Sequence, residues 1–225
     1  MFDLTTLYAP GLEGPGTFVV VEGLDGSGKS IQIKRLIDRM LLDGHYGGVN
    51  DILSMRQPTQ KQYGQKIRQF ARSSDRRMPL VEFTLFLADR MEQAQQVRDC
   101  VYHGEVVVMD RCYHSSVAYQ STTSDLDQWS IYHSNRIVFP KPDLLIVIDT
   151  YPDVAVERLK KRGGTKEVFE NTDFFSKIRW AYLEMAQHEN GVVVNGNQTI
   201  DQVEEDIWKA FTTFWPNHPR RSSTG

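Results

Sequence analysis

The stretch Gly23–Ser30, with the letters GLDGSGKS, has the spacing of glycines, lysine and hydroxyl that binds phosphates in many proteins. It follows the strand-like run Phe18–Glu22 and precedes a helix-like run. In that order, the backbone N–H groups of the turn and the N-terminus of the helix converge on an anion. We therefore expect a polyphosphate here, with Lys29 bridging its β- and γ-phosphates and the Ser30 hydroxyl ligating Mg²⁺. The residues predicted to surround the phosphates are Gly23, Gly26, Ser27, Gly28, Lys29 and Ser30.

A carboxylate and two arginines at predicted strand ends indicate a second anion beside the first. Asp110 comes directly after the apolar run Val106–Met109, Arg111 is next in the chain, and Arg56 ends an earlier strand-like run. A carboxylate near Lys29 can hold Mg²⁺ directly or through water. A guanidinium matches a phosphate with two parallel hydrogen bonds and stays charged. Both arginines therefore suit an anionic acceptor.

Phe86 and Arg90 are four residues apart in a helix-like segment and so share one helix face. An aromatic plane and a hydrogen-bond donor on one face can bind a pyrimidine base. The same periodicity also fits a core stripe that joins Phe86 to Phe83 and Leu87. Periodicity alone leaves both interpretations open.

The segment Lys160–Lys166 has the composition of a lid, because cations precede glycines that can act as hinges. A cation brought in by closure stabilises the charge of a phosphoryl group in transfer and excludes water. The alternative is a basic helix end that offsets the helix dipole.

Short apolar runs alternate with helix-like segments along the chain, which predicts an α/β fold with an open sheet of about five parallel strands between helices. Ligands of such sheets bind at the carboxyl ends of the strands. The predicted strands are Phe18–Val21, Asp51–Met55, Glu105–Met109, Leu144–Ile148 and Val192–Val194. The predicted helices are Ser30–Leu42, Tyr63–Ala71, Pro79–Tyr102, Ser115–Tyr132, Pro152–Arg162, Thr172–Glu189 and Thr199–Phe214.

The length and composition are typical of one soluble domain. A chain of 225 residues can bury a sizeable core, and we expect a single domain over residues 17–216 with loose extensions at 1–16 and 217–225. A net charge of -3 gives no reason to expect a nucleic-acid partner. No apolar run approaches the ~20 residues of a membrane span, and two cysteines suit a reducing compartment. We therefore expect a cytoplasmic protein without nucleic-acid or membrane partners.

Six blocks of the sequence resemble the successive motifs of the thymidylate kinase family, in that family's order and spacing from Phe18 to about Phe214. They are VVVEGLDGSGKS, MRQPT, LFLADR, MDRCYHSSVAYQ, KPDLLIVID and ERLKKRGG. The block D-R-x(3)-S-x(2)-A-Y-Q is far more selective than the glycine loop. The resemblance implies a three-layer P-loop kinase fold with a short lid at about residues 160–170. It also implies phosphorylation of dTMP to dTDP by ATP and Mg²⁺, in a homodimer.

The resemblance further implies how the acceptor is held. Asp25 would accept from the acceptor's 3′-OH and orient a phosphate-binding arginine, which explains a carboxylate inside a phosphate loop. Arg56 and Arg111 would hold the acceptor phosphate. Tyr119 would pack at C2′ and leave no room for a ribose hydroxyl. The other implied contacts are Phe86 on the base, Arg90 on the thymine edge, Ser116 and Gln120 on the pyrimidine edge and sugar, and Arg158 on the adenine of ATP.

Two departures from the family pattern concern the catalytic cation. Many members read Asp-Arg-Phe-Glu where this chain reads Glu167–Glu170, EVFE, and Gly26 stands where other members place an arginine. We therefore expect Arg162 or Lys166 to supply the cation. Two alternative functions stay open: a kinase for another pyrimidine nucleoside monophosphate, and a catalytically weak nucleotide-binding sensor or scaffold.

Overall fold

Five parallel strands form a single sheet within the part of the chain that the computed structural model describes, residues 8–48, 51–72, 78–163 and 172–217. The strands are β1 (Thr17–Gly23), β2 (Ile52–Arg56), β3 (Val106–Asp110), β4 (Leu144–Asp149) and β5 (Val192–Asn195). They pair in the order β2-β3-β1-β4-β5, and each neighbouring pair is parallel. The predicted open α/β sheet is therefore confirmed.

Helices cover both faces of this sheet. They are α1 (Lys29–Asp43), α2 (Gln62–Arg72), α3 (Pro79–Tyr102), α4 (Tyr113–Thr123), α5 (Gln128–Val138), α6 (Pro152–Lys161), α7 (Thr172–Glu189) and α8 (Ile200–Phe214), and a short 3₁₀ turn, Trp215–Asn217, follows. Apolar side chains of α1 and α8 pack on one face, and those of α3, α4, α5 and α7 pack on the other. None of the helices in the described ranges is both long and apolar enough to cross a membrane.

The central strand β1 explains the three layers. Its successive side chains point to opposite faces, as in any strand, and from Phe18 to Val21 both sets are apolar. Phe18 and Val20 enter one core cluster, whereas Val19 and Val21 enter the other. Each is at most 1% exposed, and each such burial contributes on the order of 2 kcal/mol. Gly23, where β1 ends, begins the glycine loop at the carboxyl edge of the sheet.

One sequence prediction is wrong here, because the segment predicted as a single helix, Ser115–Tyr132, is two helices. The first, α4, ends at Thr123, and α5 begins at Gln128. The Asp127 side chain accepts a hydrogen bond from the backbone N–H of Ser130 at 2.7 Å and so caps a new helix. The chain turns at this point, which brings α5 against α3.

Residues 8–16, part of the extension that we expected to be loose, lie against the domain. The backbone N–H of Ala9 donates to the carbonyl of Arg136 at 2.8 Å, and that of Gly16 donates to Val101 at 2.9 Å. Leu12 packs against the apolar cluster beneath α3. The limits of the domain, 17–216, stay a prediction, and residues 1–7 and 218–225 lie outside the described ranges.

Candidate functional site

The glycine loop joins β1 to α1 and places the start of that helix at the sheet edge. Gly28, the residue that precedes α1, has a left-handed backbone with φ 96°, a conformation that glycine adopts without strain. The first N–H groups of a helix lack partners within the helix and attract anions. The loop therefore presents backbone donors where the predicted phosphates would lie.

Lys29 is folded back onto this loop. Its Nζ donates to the carbonyl oxygens of Gly23 at 2.7 Å and Leu24 at 2.8 Å, and the residue is 6% exposed. Burial and the positive charge of Arg111 lower the pKa of Lys29 to about 7, although nearby carboxylates oppose this. An anionic ligand would supply the counter-charge that the two carbonyl groups lack.

Ser30 and Asp110 meet beside the loop. The Ser30 hydroxyl donates to Asp110 Oδ2 at 3.2 Å, and the other oxygen, Oδ1, is buried without a hydrogen-bond partner in the described part of the chain. Oxygen ligands of this kind are those that Mg²⁺ prefers, together with water and phosphate oxygens. The two residues therefore fit a magnesium ion bound jointly with a phosphate.

Arg56 reaches the same place through the register of the sheet. Its Cα pairs with that of Asp110 across β2 and β3, and its Nε lies 3.9 Å from Asp110 Oδ2. A cavity of about 510 Å³ opens here between β2, α3 and the start of α1. It is lined by Ser30, Ile33, Ser54, Met55, Arg56, Pro58, Thr59, Gln60, Lys61, Gln93, Gln96 and Asp110.

Asp25 links the glycine loop to the segment after β3. Its two carboxylate oxygens accept from Arg111 Nη2 at 2.5 Å and from the Tyr119 hydroxyl at 3.0 Å. The Arg111 guanidinium also lies 5.3 Å from the centre of the Tyr119 ring. Burial acts to raise the pKa of Asp25, but the charges of Arg111 and Lys29 outweigh it, and the pKa falls below its usual value. The structure thus gathers a carboxylate, a cation and a phenol beside the loop.

Arg90 is buried, at 1% exposure, and its guanidinium carbon lies 5.6 Å from the centre of the Phe86 ring. Its acceptors are uncharged: Gln57 Oε1 at 3.0 Å, Asn135 Oδ1 at 2.8 Å, Ser116 Oγ at 2.7 Å and the Cys112 carbonyl at 3.3 Å. One of its five N–H groups has no partner among the described residues. The side chain is held firmly and keeps one donor for a ligand.

Gln120 adds free polar groups on the same helix as Ser116. It is 5% exposed, and neither its amide oxygen nor its amide nitrogen has a hydrogen-bond partner in the described ranges. A buried amide without partners costs free energy unless a ligand or water satisfies it. This side chain is therefore suited to bind a polar ligand edge.

The structure describes only some of the cations predicted for the lid and the ATP side. Arg158 lies half-buried in the last turn of α6, and Arg162 is exposed directly after that helix. Lys166 lies outside the described residues.

Helix α6 also explains why residue 26 is glycine: a Cβ at this position, where φ is 86°, would overlap the carbonyl oxygen of Ala155. Position 26 therefore has no room for an arginine.

Sequence reasoning missed several residues that hold the site. Gln57 and Asn135 fix Arg90, while Ser115 and Tyr182 contact Arg111 at 3.1 and 3.3 Å. Gln57 lies within the MRQPT block and its neighbour Arg56 was singled out, so it could have been noticed. Asn135 gave no comparable signal, because it lies in none of the six matched blocks and beyond the end of the helix predicted over Ser115–Tyr132.

A phosphate loop at the edge of a parallel sheet, faced by strand-end arginines, defines a P-loop nucleotide kinase. The chain belongs to the thymidylate kinase family, whose family model matches residues 21–207. Membership makes it a nucleoside monophosphate kinase and confirms the resemblance, the fold class and the enzyme class predicted from the sequence.

Curated relatives cover most of the chain. It is 35% identical over 197 residues to a probable thymidylate kinase of Archaeoglobus fulgidus, covering 87% of this chain and 95% of that protein. It is 32% identical to the thymidylate kinase of Fervidobacterium nodosum, covering 88% and 99%. It is 33% identical to a probable thymidylate kinase of Pyrococcus abyssi, covering 85% and 94%.

Proposed function

We propose that the protein transfers the γ-phosphoryl group of ATP to dTMP, giving dTDP and ADP. The observation that carries this proposal is the Asp25–Arg111–Tyr119 cluster, which lies directly beside Lys29 of the phosphate loop. A loop that bound a nucleoside triphosphate alone would gain nothing from a carboxylate facing its phosphates. A carboxylate tied to an arginine and a tyrosine suits an acceptor that brings both a phosphate and a sugar hydroxyl.

On the donor side, the loop residues hold the ATP phosphates and Lys29 bridges the β- and γ-phosphates. When bound, Mg²⁺ would neutralise developing charge on the phosphates, and Ser30 and Asp110 are the residues that would hold it. This is supported by their 3.2 Å contact and by the unpartnered Asp110 Oδ1. Arg158 would pack on the adenine from α6.

On the acceptor side, Arg56 and Arg111 clamp the phosphate of dTMP, and Asp25 accepts from its 3′-OH. Tyr119 crowds C2′ and disfavours ribonucleotides. The base stacks on Phe86, and Arg90, Ser116 and Gln120 bind its edge. The free N–H of Arg90 and the free amide of Gln120 support this placement, since a pyrimidine offers both acceptors and a donor.

No general base is required, because an acceptor phosphate oxygen is already anionic and positioning dominates phosphoryl transfer. Arg111 neutralises the acceptor so that two anions can approach in line. Arg162, or Lys166, supplies the further cation when the lid closes over the transferring group.

The enzyme works as a homodimer in a reducing cytoplasm. Exposed apolar side chains on one helix, Leu80, Val81 and Met91 of α3, support a partner surface there. Two free cysteines, Cys100 and Cys112, support the compartment. Sedimentation of the wild type and of Leu80→Glu tests the dimer, which the charge should split into monomers.

An assay that couples ADP release to a second enzyme tests the activity across dTMP, dUMP, UMP, CMP and dGMP. We expect the highest kcat/KM with dTMP. Lys29→Ala should lose at least ~10²-fold in kcat, whereas Lys34→Ala, an exposed lysine paired with Asp38 on the same helix, should keep it. A higher kcat/KM with another nucleotide would show that this nucleotide, and not dTMP, is the preferred acceptor. Binding of nucleotides without ADP release would show that the protein is a sensor.

A further inference from the structure

Three ionisable side chains lie buried beside the candidate site and take no part in the ligand contacts above. Glu22 lies in β1, His114 in the first turn of α4 and Glu189 at the end of α7, and their side chains are at most 1% exposed. His114 Nε2 lies 3.3 Å from Glu189 Oε2, and Nδ1 lies 3.7 Å from Glu22 Oε1. One imidazole ring thus lies between two carboxylates from different elements: it is hydrogen-bonded to Glu189, and it faces Glu22 through a charge contact, since Nδ1 has no hydrogen-bond partner among the described residues.

With both carboxyl groups ionised, this set carries one net negative charge when the ring is a cation and two when the ring is neutral. Burial acts to raise the pKa of both carboxyl groups, yet the adjacent His114 holds the pKa of Glu22 below its usual value and that of Glu189 at about 2. Burial acts to lower the pKa of His114, but Glu189, Cys112 and Glu22 together outweigh it and raise that pKa well above its usual range. A neutral ring would leave two buried carboxylates without a cation between them, which is costly.

Other groups that face the set come from the elements packed around it. The Tyr113 hydroxyl donates to Glu189 Oε1 at 2.6 Å, Tyr132 also faces Glu189, and the charge of Lys141 acts to lower the pKa of Glu189. Arg136 lies 5.9 Å from the centre of the Tyr113 ring. Arg111 acts on Glu22 and, like His114, lowers the pKa of that carboxyl group. Among these groups, the imidazole is the one that lies within 4 Å of both carboxylates.

Glu22 connects His114 to Arg111, the arginine proposed to bind the acceptor phosphate, through contacts with the segment that follows β3. Its Oε1 accepts from the backbone N–H groups of Cys112 at 2.7 Å and Ser115 at 3.1 Å, and its Oε2 accepts from the Ser115 hydroxyl at 2.8 Å. The Ser115 oxygen in turn accepts from Arg111 Nη1 at 3.1 Å. Because that hydroxyl gives its single proton to Glu22, the Tyr182 hydroxyl is the donor in its 2.8 Å contact with Ser115.

The backbone of Arg111 needs such support. Its φ is 68°, in the left-handed region that non-glycine residues rarely adopt. The peptide before it is held by the hydrogen bond from Arg111 N to Val21 O at 3.2 Å, and the peptide after it by Cys112 N to Glu22. Strained backbone persists where surrounding contacts fix it.

We propose that His114 is a positioning residue for Arg111: as the cation between Glu22 and Glu189, it ties α4 to β1 and α7 and so aims the guanidinium at the acceptor phosphate. The inference rests on the proposed function for the identity of that phosphate. It names a residue that touches no ligand and acts through Glu22 and Ser115.

Kinetics of His114→Gln test the tie. We expect the KM for dTMP to rise about tenfold, a factor that one hydrogen bond to a charged group can supply, while the KM for ATP stays within about twofold. His45→Gln, an exposed histidine after α1, is the matched control and should change neither. Adding Glu189→Gln removes one of the two carboxylates that His114→Gln leaves uncompensated. The KM for dTMP of the double variant should therefore fall part of the way back to the wild-type value. Equal changes in both KM values, or no recovery in the double variant, would overturn the proposal.

A measurement on the ligand-free wild type needs no folded variant. With ¹⁵N-labelled histidine, the ring signals of His114 can be assigned by through-space contacts with the Tyr113 ring, whose centre lies 4.1 Å away. These signals should show two protonated nitrogens from pH 6 to about pH 8. A neutral ring at pH 7 would overturn the tie whatever the kinetics are. If the wild type fails to phosphorylate dTMP while these signals are protonated, the proposed function fails and the tie stands.

Discussion

Asp25 in the glycine loop accepts a hydrogen bond from Arg111, 86 residues further along the chain, with 2.5 Å between Oδ1 and Nη2. The same carboxylate accepts from Tyr119. One loop side chain therefore orients two residues of the segment that follows β3. A substitution at Asp25 should accordingly affect binding of the phosphate acceptor more than binding of the donor ATP.

Asp25→Asn keeps the shape of the side chain but removes the charge that pairs with Arg111. Because Asp25 is partly exposed, we expect a loss of about tenfold in kcat/KM for dTMP, at the low end for a charged hydrogen bond. The KM for ATP should not rise, since a negative charge beside its phosphates has been removed. Steady-state kinetics with each substrate varied decide this, with Asp38→Asn on the exposed side of α1 as control. A rise confined to the KM for ATP would place Asp25 on the donor side.

Tyr119→Ala should raise activity on the ribonucleotide analogue of dTMP relative to dTMP itself. The expected gain is limited to about 1–3 kcal/mol, because a steric exclusion alone is relaxed. Tyr119→Phe is the matched variant: it loses the hydroxyl bonded to Asp25 but keeps the ring, so it should keep the discrimination. An unchanged preference in Tyr119→Ala would remove this residue from the sugar site.

Gly26→Ala should destabilise the fold, because its Cβ would overlap Ala155 and its backbone is left-handed. Gly44→Ala is the control, since φ there is also positive at 74° but nothing lies within 4 Å of the added Cβ. The control therefore measures the backbone cost, and Gly26→Ala should lose about 1–3 kcal/mol more in urea unfolding. Equal losses in the two variants would show that α6 moves away freely, and an arginine at position 26 would then be tolerated.

Binding of Mg·ATP should take up a proton above pH 7. Lys29 has a pKa of about 7 in the empty site, so it is mostly neutral at pH 8, and bound phosphates raise that pKa by favouring the charged form. The dissociation constant should therefore rise with pH above 7, by at most about tenfold per pH unit. Calorimetry in two buffers of different ionisation enthalpy counts the proton. Lys29→Arg, which stays charged, should bind without uptake, and uptake that persists in this variant would assign the proton to another group.

Arg162→Ala and Lys166→Ala, singly and together, locate the catalytic cation. The one that acts in the transition state should lower kcat by about 10²–10³ with little change in KM. Lys161→Ala, next to Arg162 but paired with Glu157, should leave kcat near the wild-type value. If both single variants and the double variant keep wild-type kcat, neither Arg162 nor Lys166 supplies the catalytic cation.

The sheet was predictable because its signal is local. Each apolar run buried on both faces, as in β1, cannot be accommodated at the protein surface, and the predicted strands agree with the observed ones to within a residue or two. The break between α4 and α5 was missed, although Asp127, which precedes α5, is a residue type that commonly caps the start of a helix.

The site residues that belong to short motifs could be predicted from the sequence. The residues that hold those side chains in place could not. Lys29, Ser30 and Asp110 follow from spacing and strand ends. The contacts of Arg90 with Gln57 and Asn135 join residues 33 and 45 positions apart, and no periodicity relates them. Such pairings depend on how helices cross, which a single sequence does not encode in any short stretch.

The strand order also has a consequence for how the chain is made. β1 is the third strand in the sheet, and its two neighbours are β3 and β4, not β2, which follows it in the chain. When the glycine loop leaves the ribosome, neither of the two strands that flank β1 has therefore been synthesised. The later of them, β4, is complete only at Asp149. Nascent chains shorter than this should fail to be retained on an ATP matrix, so the loop becomes functional late in synthesis although it is encoded near the start.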